Sequence, residues 1–287
     1  MVYPDTLLKV AIQGYNGAFH EIAARNYFKE RAIEIVPCLT FEDVVEHVLQ
    51  GEVDHVGLMA IENTLGGSLM NNYRLLQENN LQVVGEVFLR VKQHLIGLPG
   101  ASIVTLEEVH SHPMAIAQCR KYFKNYPSIR LVEAEDTALS VRRVSEQSNP
   151  AIGAIGSQLA ASIYDLEILE DSIETDKKNY TRFLVLTNAS LNIEQKGKIE
   201  KVSISFSTGH EVGSLYKVLT VLAAYNVNLT KIQSAPIIGQ PWEYMFFIDF
   251  VVEPGKITYL QALEAIKPLT NSLKVFGVYA QGKHYEG

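Results

Sequence analysis

The feature that most constrains the fold is a unit that recurs along the first half of the chain. Each unit has an apolar strand-like run, a junction of glycine or polar residues, and a helical pattern. The junctions lie at Gly14, Glu62, Ser111, Thr137 and Ser157. Alternating strands and helices predict an α/β region with mostly parallel sheets. Ligands of such sheets bind beyond the carboxyl ends of the strands, so we expect all five junctions on the ligand-binding side.

The turn pair Pro99-Gly100 interrupts this series, after which the pattern restarts. The break predicts two lobes with a cleft between them. We expect lobe one to comprise about residues 1–90 and 175–190, and lobe two residues 91–174. The apolar run Leu184-Val185-Leu186 is typical of a buried strand, and we expect it to return the chain to lobe one.

The stretch Asn179-Tyr180-Thr181-Arg182-Phe183 places a hydroxyl and a guanidinium at the mouth of that last strand. Neighbouring side chains of a regular strand point to opposite faces, so only a bulge or turn would direct both Thr181 and Arg182 to one ligand. The alternative is that Thr181 is an ordinary strand residue and Arg182 a solvated flank.

Two other junctions have ligand-binding character. The Gly14 to Phe19 turn joins a strand to a helix, where glycines allow close backbone approach and free amides can hold an anion. It lacks the third glycine of a dinucleotide-binding turn, and taken alone it is better explained as a tight connection. The run Glu62 to Ser68 combines a carboxylate, an amide and a hydroxyl with two glycines, which is more than a turn requires.

The pattern changes after a polar stretch at residues 191–200, which we interpret as a linker. Residues 201–282 have the order βαββαβ of a ferredoxin-like domain, beginning with the alternating, half-exposed strand Val202 to Phe206. This domain contains no convincing catalytic cluster. A binding or regulatory module is the natural interpretation.

Composition excludes several classes of function. The net charge of -7 argues against general affinity for nucleic acid or anionic membranes. The two cysteines, Cys38 and Cys119, are too few and too far apart for a disulfide framework or a cysteine metal site. His110 and His112 lack acidic or cysteine partners nearby, so they are weak evidence for a metal. The start of the chain has no signal-peptide pattern and no apolar stretch spans a membrane, which predicts a cytoplasmic protein.

Five short motifs, taken in order and spacing, resemble the prephenate dehydratase family. They are Gly14 to Phe19, Ile61-Glu62-Asn63-Thr64 with Gly67, Ser111-His112-Pro113 with Gln118, Asp136-Thr137-Ala138, and Asn179 to Phe183. Each motif is weak alone, but the resemblance covers nearly the whole chain. It implies a catalytic domain at residues 1–190 that resembles a two-lobed periplasmic binding protein. It also implies an ACT regulatory domain at about residues 201–282.

The resemblance implies a reaction and a set of site residues. Family members convert prephenate to phenylpyruvate, water and carbon dioxide without a cofactor or metal, in phenylalanine biosynthesis. The catalytic positions map onto Thr181, Arg182 and Phe183, and Thr181 would assist departure of the ring hydroxyl. Threonine is a weak acid, so we expect Arg182 and helix N-termini to make the site electropositive. The substrate-binding positions map onto Glu62, Asn63, Thr64, Ser111, Gln118 and Thr137.

The same resemblance implies L-phenylalanine as an allosteric effector at an interface between ACT domains, and hence a homodimer or homotetramer. The effector-binding positions map onto Gly213, Ser214, Leu215, Asn228, Leu229, Ser234 and Pro236. The family's Glu-Ser-Arg-Pro motif appears here as Gln233-Ser234-Ala235-Pro236, without the charged pair. The strength of the regulation is therefore open.

Two alternatives stay open. Arogenate dehydratase would carry out the same chemistry on an amino-acid substrate. A non-catalytic solute-binding or amino-acid-sensing protein would share the lobes, but the complete Thr181-Arg182-Phe183 set and the missing signal peptide count against it.

Overall fold

The structure, a computed structural model, describes residues 7–29, 31–51, 54–191, 199–252 and 259–287. Its strands form three sheets, of which two consist mainly of the first 190 residues and the third lies in the C-terminal part. The predicted α/β region with two lobes, followed by a βαββαβ domain, is therefore confirmed. The start of the chain and most of the predicted linker lie outside the described residues.

Lobe one contains a seven-stranded sheet with the order β16-β5-β11-β3-β1-β2, to which β4 adds beside β3. Its elements are β1 (Leu8–Gln13), α1 (Phe19–Tyr27), β2 (Ile33–Cys38), α2 (Phe41–Gln50), β3 (His55–Asn63), β4 (Gly67–Ser68), α3 (Met70–Glu78), β5 (Leu81–Arg90), β11 (Tyr180–Asn188) and β16 (Lys283–Tyr285). Strand β11 thus returns the chain from lobe two to the middle of this sheet.

Lobe two contains a five-stranded sheet with the order β10-β6-β9-β7-β8. Its elements are β6 (His94–Gly97), β7 (Glu108–Ser111), α4 (Pro113–Phe123), β8 (Arg130–Glu133), α5 (Thr137–Gln147), β9 (Ile152–Gly156), α6 (Gln158–Ile163) and β10 (Glu167–Glu170). Short 3-10 turns lie at Ile103–Thr105 and Ala189–Leu191.

The prediction of mostly parallel sheets is wrong, because both sheets are mixed. Strand β1 runs parallel to β2 and β3, but β11 is antiparallel to both β3 and β5. In lobe two, β7 is parallel to its neighbours whereas β6 is antiparallel to both of its own. Apart from the short β3–β4 pair, the antiparallel pairs involve β6 and β11, which lie where the chain enters and leaves lobe two. These strands do not follow the strand-helix-strand crossover that produces parallel neighbours.

The third sheet belongs to the C-terminal domain, which is the predicted ACT domain, and has the order β13-β14-β12-β15. Its elements are β12 (Lys201–Ser207), α7 (Ser214–Ala224), β13 (Asn228–Pro236), β14 (Tyr244–Val251), α8 (Tyr259–Ile266), a 3-10 turn (Lys267–Leu269) and β15 (Ser272–Tyr279). Alternate residues of β12, Val202, Ile204 and Phe206, pack into the core beneath α7 and α8.

The second face of the ACT sheet covers lobe one, which the sequence did not reveal. Phe247, Phe276 and Tyr279 share a core with Met59 and Leu184 of the lobe-one sheet. All seven residues of β12 are consequently buried, so the prediction that this strand is half-exposed is wrong. Its polar side chains, such as Ser203, alternate with the apolar ones and face lobe one instead of water.

The last strand, β16, crosses back from the ACT domain and pairs in parallel with β5 at the edge of the lobe-one sheet. His284 stacks on Phe88, with ring centroids 4.6 Å apart, and Glu286 pairs with Arg90 at 2.8 Å. The chain end therefore fastens the ACT domain to lobe one. Within the described ranges, we found no helix with the length and apolarity needed to cross a bilayer.

Candidate active site

A cavity of about 420 Å³ opens between the two lobes. Lobe one contributes the carboxyl ends of β1 and β3, the start of α1 and the start of β11, while lobe two contributes the starts of α4 and α5. Five of the predicted site residues line it: Asn63, Gln118, Thr137, Thr181 and Phe183. They come from four of the predicted motifs, which the fold brings together at the cleft.

Strand β11 places Thr181 and Phe183 on one face, two residues apart, as the strand period requires. The neighbouring strand β3 has a β-bulge opposite them, because Phe183 pairs with Ala60 whereas Arg182 pairs with Glu62. The extra residue, Ile61, lets both Ala60 and Asn63 line the cavity although they are three positions apart.

Asn63 connects the Thr181 hydroxyl to the surrounding loop. Its Nδ2 donates to Thr181 Oγ1 at 2.9 Å and to Asn179 Oδ1 at 2.7 Å. Its Oδ1 accepts from the backbone amides of Leu65 and Gly66 at 2.9 and 2.8 Å. Asn63 is therefore held on both sides. Because Thr181 Oγ1 accepts this hydrogen bond, its own proton can point toward a ligand in the cavity.

The electropositive ends of three helices face the same cavity. Residues at the starts of α1, α4 and α5 line it, including Phe19, Met114 and Thr137. The first turn of a helix carries unpaired amides and a partial positive charge, so it suits an anion. Among the described residues that line the cavity there is no lysine or arginine, so these helix ends and neutral donors supply its anion-binding capacity.

Two carboxylates lie at the lobe-two wall. Asp136 caps α5 through Oδ1, which accepts from the Leu139 amide at 2.9 Å, and burial raises the pKa of Asp136 above its ordinary value. Glu135 pairs with Arg143 at 2.6 Å, and the hydrogen bonds from that guanidinium lower the pKa of Glu135. The lining charges are therefore acidic.

Arg182 does not line the cavity, in contrast to the prediction. Its Nε donates to Glu86 Oε2 at 2.7 Å, its Nη1 pairs with Asp249, and its Nη2 donates to the Tyr279 hydroxyl at 3.2 Å. The side chain is buried against the ACT domain. The reason is the strand period, which directs Arg182 away from the face that carries Thr181 and Phe183.

Glu62 likewise points to the ACT domain, so the expectation that it contacts substrate is not met. Its Oε2 accepts from Lys231 Nζ at 2.7 Å and lies 3.9 Å from Arg182 Nη1. Glu62 and Arg182 are register partners on adjacent strands, as are Asn63 and Thr181. One pair of partners faces the cavity and the other faces the ACT domain.

Thr64 and Ser111 support the backbone and are not among the described residues that line the cavity. Thr64 Oγ1 accepts from the Tyr180 amide at 3.0 Å and donates to the Lys178 carbonyl at 3.1 Å. Ser111 Oγ is buried and donates to the Ile155 carbonyl at 2.7 Å. Both hydroxyls are therefore occupied in the structure by contacts that hold the motif loops.

Sequence reasoning gave no site role to six polar residues of the cavity: Gln13, His20, Gln93, His112, Glu135 and Asp136. Gln93 lies on the crossing between the lobes, where its Nε2 donates to Gln118 Oε1 at 3.3 Å. His20 is the second residue of α1, directly after the glycine turn. The available signals were the position of Gln93 at the lobe boundary and the place of His20 on a helix that starts at a predicted junction.

The histidines that suggested a metal have other partners. His110 Nε2 lies 2.9 Å from Glu108 Oε2, and His112 Nδ1 accepts from the Met114 amide at 3.2 Å. The part of the chain that the structure describes contains no group of three or more histidine, cysteine or acidic side chains that could hold a metal ion.

The predicted effector positions lie in the ACT domain. Gly213 is the N-cap of α7 and has a φ of 81°, a left-handed conformation that favours glycine, and Ser214 Oγ donates to the Glu211 carbonyl at 3.0 Å. Ser234 and Pro236 occupy the exposed face of edge strand β13, opposite the face that holds Lys231. The other three positions, Leu215, Asn228 and Leu229, lie on α7 and at the start of β13.

Comparison with known proteins identifies the family. The family model described as prephenate dehydratase matches residues 10–191, and the ACT domain model matches residues 202–269. The bifunctional chorismate mutase/prephenate dehydratase of Enterobacter agglomerans is 33% identical over 94% of this chain and 70% of that enzyme. Arogenate dehydratase/prephenate dehydratase 1 of Arabidopsis thaliana is 35% identical over 96% of this chain and 72% of its own length.

Two solved structures share the fold of this chain. A prephenate dehydratase from Arthrobacter aurescens in complex with L-Phe superposes with a TM-score of 0.84 at 23% identity, over 96% of this chain and 90% of that one. A protein described as GqqA, a novel type of quorum quenching acylase, has the same TM-score at 29% identity, over 95% and 98% of the two chains. The chain therefore belongs to the prephenate dehydratase family of carbon–oxygen lyases, and it carries a C-terminal ACT domain.

Proposed function

We propose that this chain converts prephenate to phenylpyruvate, water and carbon dioxide, with Thr181 assisting departure of the ring hydroxyl. The observation that carries the proposal is the Thr181 hydroxyl in the cleft, which accepts from Asn63 Nδ2 and keeps its proton for a ligand. Membership of the family supports the same reaction.

The reaction breaks two bonds of the substrate. One carboxylate leaves as carbon dioxide, its electron pair completes the aromatic ring, and the ring hydroxyl departs with its bonding electrons. A hydrogen bond from Thr181 Oγ1 stabilises the negative charge that develops on that oxygen, which then takes up a proton from solvent to become water. The Asn63 donor polarises the hydroxyl and strengthens this hydrogen bond.

The cavity also suits the loss of carbon dioxide. Phe19, Leu69 and Phe183 contribute apolar surface, which disfavours a localised carboxylate charge and thereby promotes its dispersal into the ring. The second carboxylate of prephenate stays on the product. It finds its partners at the helix N-termini and at neutral donors such as Gln118.

The direct test is to add prephenate to the full chain and follow phenylpyruvate by its absorbance. We expect catalytic turnover without an added metal or cofactor. A protein that binds prephenate but forms no phenylpyruvate would overturn the proposal.

The acidic lining favours arogenate as a second candidate substrate. Its α-ammonium group would meet Asp136 or Glu135 without the need for a cationic side chain. A side-by-side comparison of kcat/KM for the two substrates separates the candidates. Asp136→Asn, which keeps a good helix cap, should lower kcat/KM for arogenate and raise or preserve it for prephenate.

The acylase named among the structural neighbours suggests amide hydrolysis, but the described geometry favours the lyase reaction. A nucleophilic threonine requires a base that removes its proton. The hydrogen-bond partner of Thr181 Oγ1 within the described ranges is the Asn63 amide, which is a donor and not a base.

We further propose that L-phenylalanine binds the ACT domain and lowers the activity of the catalytic site. Arg182 and Glu62 contact Asp249 and Lys231 of the ACT sheet, while their chain neighbours Thr181 and Asn63 line the cavity. A shift of the ACT sheet would therefore move Thr181, which carries the hydroxyl, and Asn63, which donates to it.

Lys231→Gln tests this connection because Lys231 contacts neither the cavity nor the predicted effector positions on the far face of β13. We expect the phenylalanine concentration for half-inhibition to change about five- to ten-fold, within the usual range of coupling energies. Lys267→Gln, which removes an exposed ion pair of the same domain, is the matched control and should leave inhibition unchanged. If phenylalanine inhibits both variants and the wild type equally, the proposed coupling through Lys231 and Glu62 is wrong.

We also propose that the chain is a cytoplasmic homo-oligomer that associates through its ACT domains. Large apolar side chains are exposed there, including Val212, Tyr216 and Trp242 at 101%, 71% and 76% of their reference areas. Exposed apolar surface of this kind commonly marks an interface. Light scattering of the full chain and of Trp242→Ser distinguishes a dimer or tetramer from a monomer.

A further inference from the structure

A groove of about 600 Å³ adjoins the cavity between the lobes, and we call it the basic groove. Met114 and Gln118 of α4 line both the groove and the cavity. Leu65 lines the groove and its chain neighbour Gly66 lines the cavity, so one loop of lobe one borders both spaces. The other residues of the groove are Ala117, Arg120, Lys121, Lys124, Thr175 and Asp176. The proposed chemistry gives this groove no role.

Helix α4 connects the two spaces through the spacing of its residues. Met114, Gln118 and Lys121 follow one another at intervals of four and three residues, so they form one row along the helix. This row begins at the cavity and ends in the groove. A Cβ atom on Gly66 would lie 3.4 Å from Met114 Cε, which places this flexible side chain at the boundary between groove and cavity.

The groove holds the cations that the cavity lacks. Within the described ranges no lysine or arginine lines the cavity, whereas Arg120, Lys121 and Lys124 line the groove. The acidic side chain that faces them there is Asp176, so the groove has a positive balance. All three cations are exposed, and none pairs with a carboxylate in the part of the chain that the structure describes.

The other arginines of lobe two differ from Arg120 because each has a carboxylate partner. The pairs are Arg130 with Glu108, Arg142 with Glu146, and Arg143 with Glu135. An unpaired cation keeps its attraction for a ligand anion, whereas a paired one is largely neutralised. The positive field of the lobe is therefore concentrated at the groove.

On the side of α1, contacts between the lobes close the cavity. Ala18 lines the cavity and shares a core with Ala160 of lobe two. Beside it, Ser157 Oγ donates to the Gly17 carbonyl at 2.5 Å, and both groups are buried. In this conformation a substrate has to enter the cavity from another side, and the basic groove adjoins it at the far end of the lobe-one loop.

We propose that the basic groove is an entry site that collects the dianionic substrate and delivers it along α4 to the cavity. The identity of the substrate rests on the proposed function, and its two carboxylates supply the negative charge that the three cations attract. Because these cations lie outside the cavity, they raise the local concentration of the dianion without contacting the reacting atoms. They therefore act on binding and not on the chemical step.

Neutralising the groove tests the proposal. The groove variant combines Arg120→Gln, Lys121→Gln and Lys124→Gln. At an ionic strength of about 0.01 M, where charges act over about 30 Å, we expect kcat/KM for prephenate to fall about 10-fold. We expect kcat itself to stay within about two-fold of the wild type, since the cations act on encounter. In about 1 M salt the Debye length is about 3 Å, so the kcat/KM values of the two proteins should converge.

A charge-matched control separates the groove from net charge. It replaces by glutamine three exposed lysines of the C-terminal part, none of which lines the cavity or the groove: Lys217, Lys267 and Lys283. The control should keep the wild-type dependence of kcat/KM on salt. If the control and groove variants show the same salt dependence, net charge is responsible and the proposed entry site is wrong.

The competing explanation is structural, because cations in the last turn of a helix stabilise that helix, and Arg120 and Lys121 lie in the last turn of α4. That role predicts a lower unfolding free energy with unchanged KM. A folded groove variant with wild-type KM and wild-type salt dependence would therefore overturn the entry site.

The proposed function fails separately, if the wild type forms no phenylpyruvate from prephenate. Calorimetric titration of the wild type and the groove variant with prephenate then gives the same comparison without turnover. Weaker binding by the groove variant at about 0.01 M ionic strength would support the entry site, and equal affinities or no binding would overturn it.

Discussion

The two faces of strand β11 differ in every property that bears on function. One face carries Thr181 and Phe183 into the cleft, where the lining groups are neutral donors, apolar side chains and two carboxylates. The other carries Arg182 and Leu184 against the ACT domain, where Arg182 meets Glu86 and Asp249. A single short motif therefore serves the cavity and the domain interface at the same time.

The difference shows where this chain uses its buried charges. On the ACT side, Lys201 lies 2.8 Å from Glu86, so two cations and two carboxylates compensate one another in a buried cluster. Burial alone would lower the pKa of Arg182, but Asp249 and Glu86 raise it well above its ordinary value, so it stays charged. The cavity instead relies on helix ends and neutral donors to bind an anion.

Removing the guanidinium should have the largest effect on stability. Arg182→Met leaves two buried carboxylates short of a cation, which costs about 3–5 kcal/mol of unfolding free energy. Urea unfolding of the full chain measures it. Arg142→Met removes an exposed pair with Glu146 and should leave the unfolding free energy nearly unchanged. A stable Arg182→Met protein whose KM rises 100-fold would instead place Arg182 at the substrate.

A subtler change isolates the cavity face. Asn63→Asp keeps the acceptor for the Leu65 and Gly66 amides but replaces the donor to Thr181 Oγ1 with an oxygen. The Asn179 Nδ2 atom, otherwise unpaired among the described residues, can rotate to meet the new carboxylate. We expect kcat to fall roughly 10- to 100-fold with little loss of stability. An unchanged kcat would show that polarisation of the hydroxyl contributes nothing.

Lowering the pH should reduce the unfolding free energy through groups beside both faces of β11, but in different pH ranges. Burial lowers the pKa of His20 to about 3, so between about pH 6.5 and 3 the unfolded chain binds a proton that the folded chain does not. Stability therefore falls as the pH drops through this window, by about 1.4 kcal/mol per unit at most from this one group. The difference between the wild type and His20→Phe in unfolding free energy, measured against pH, isolates that contribution.

On the ACT face the corresponding loss comes at lower pH. Burial alone would raise the pKa of Asp249, but Arg182 and Lys201 hold it below the ordinary value of 3.8. Its contribution is present above pH 3.8 and is lost as the pH falls through the lower, folded value. If the loss of stability between about pH 6.5 and 3 is the same in His20→Phe as in the wild type, the assignment of that loss to His20 is wrong.

The sequence predicted the fold class because the periodic signals are strong and local. Repeated strand-junction-helix units marked the lobes, and the βαββαβ order marked the ACT domain. It could not reveal that the ACT sheet covers lobe one, since Ser203 and Ser205 alternate as they would on a solvated face. Strand β16, the short run Lys283–Tyr285, has too little pattern to be recognised.

The site was likewise predictable where it depends on local pattern and not where it depends on domain packing. Junction residues such as Asn63 and Thr181 meet at the cleft because the carboxyl ends of strands β1 and β3 open there. Alternation implied that Thr181 and Arg182 would diverge, but which of them faced the cleft depended on the domain packed behind the sheet. His20 carried no motif signal, because the burial of its ring beside Phe41 and Phe183 is visible only in the coordinates.

The central claim is that the Thr181 hydroxyl performs the chemistry, and a pair of threonine substitutions on β11 tests it most directly. Thr181→Val removes the hydroxyl and keeps the shape, whereas Thr187→Val does the same at a buried position of the strand outside the cavity. We predict that kcat for phenylpyruvate formation falls about 100- to 1,000-fold in the first and stays within about two-fold in the second. Full activity of a folded Thr181→Val protein would contradict the account.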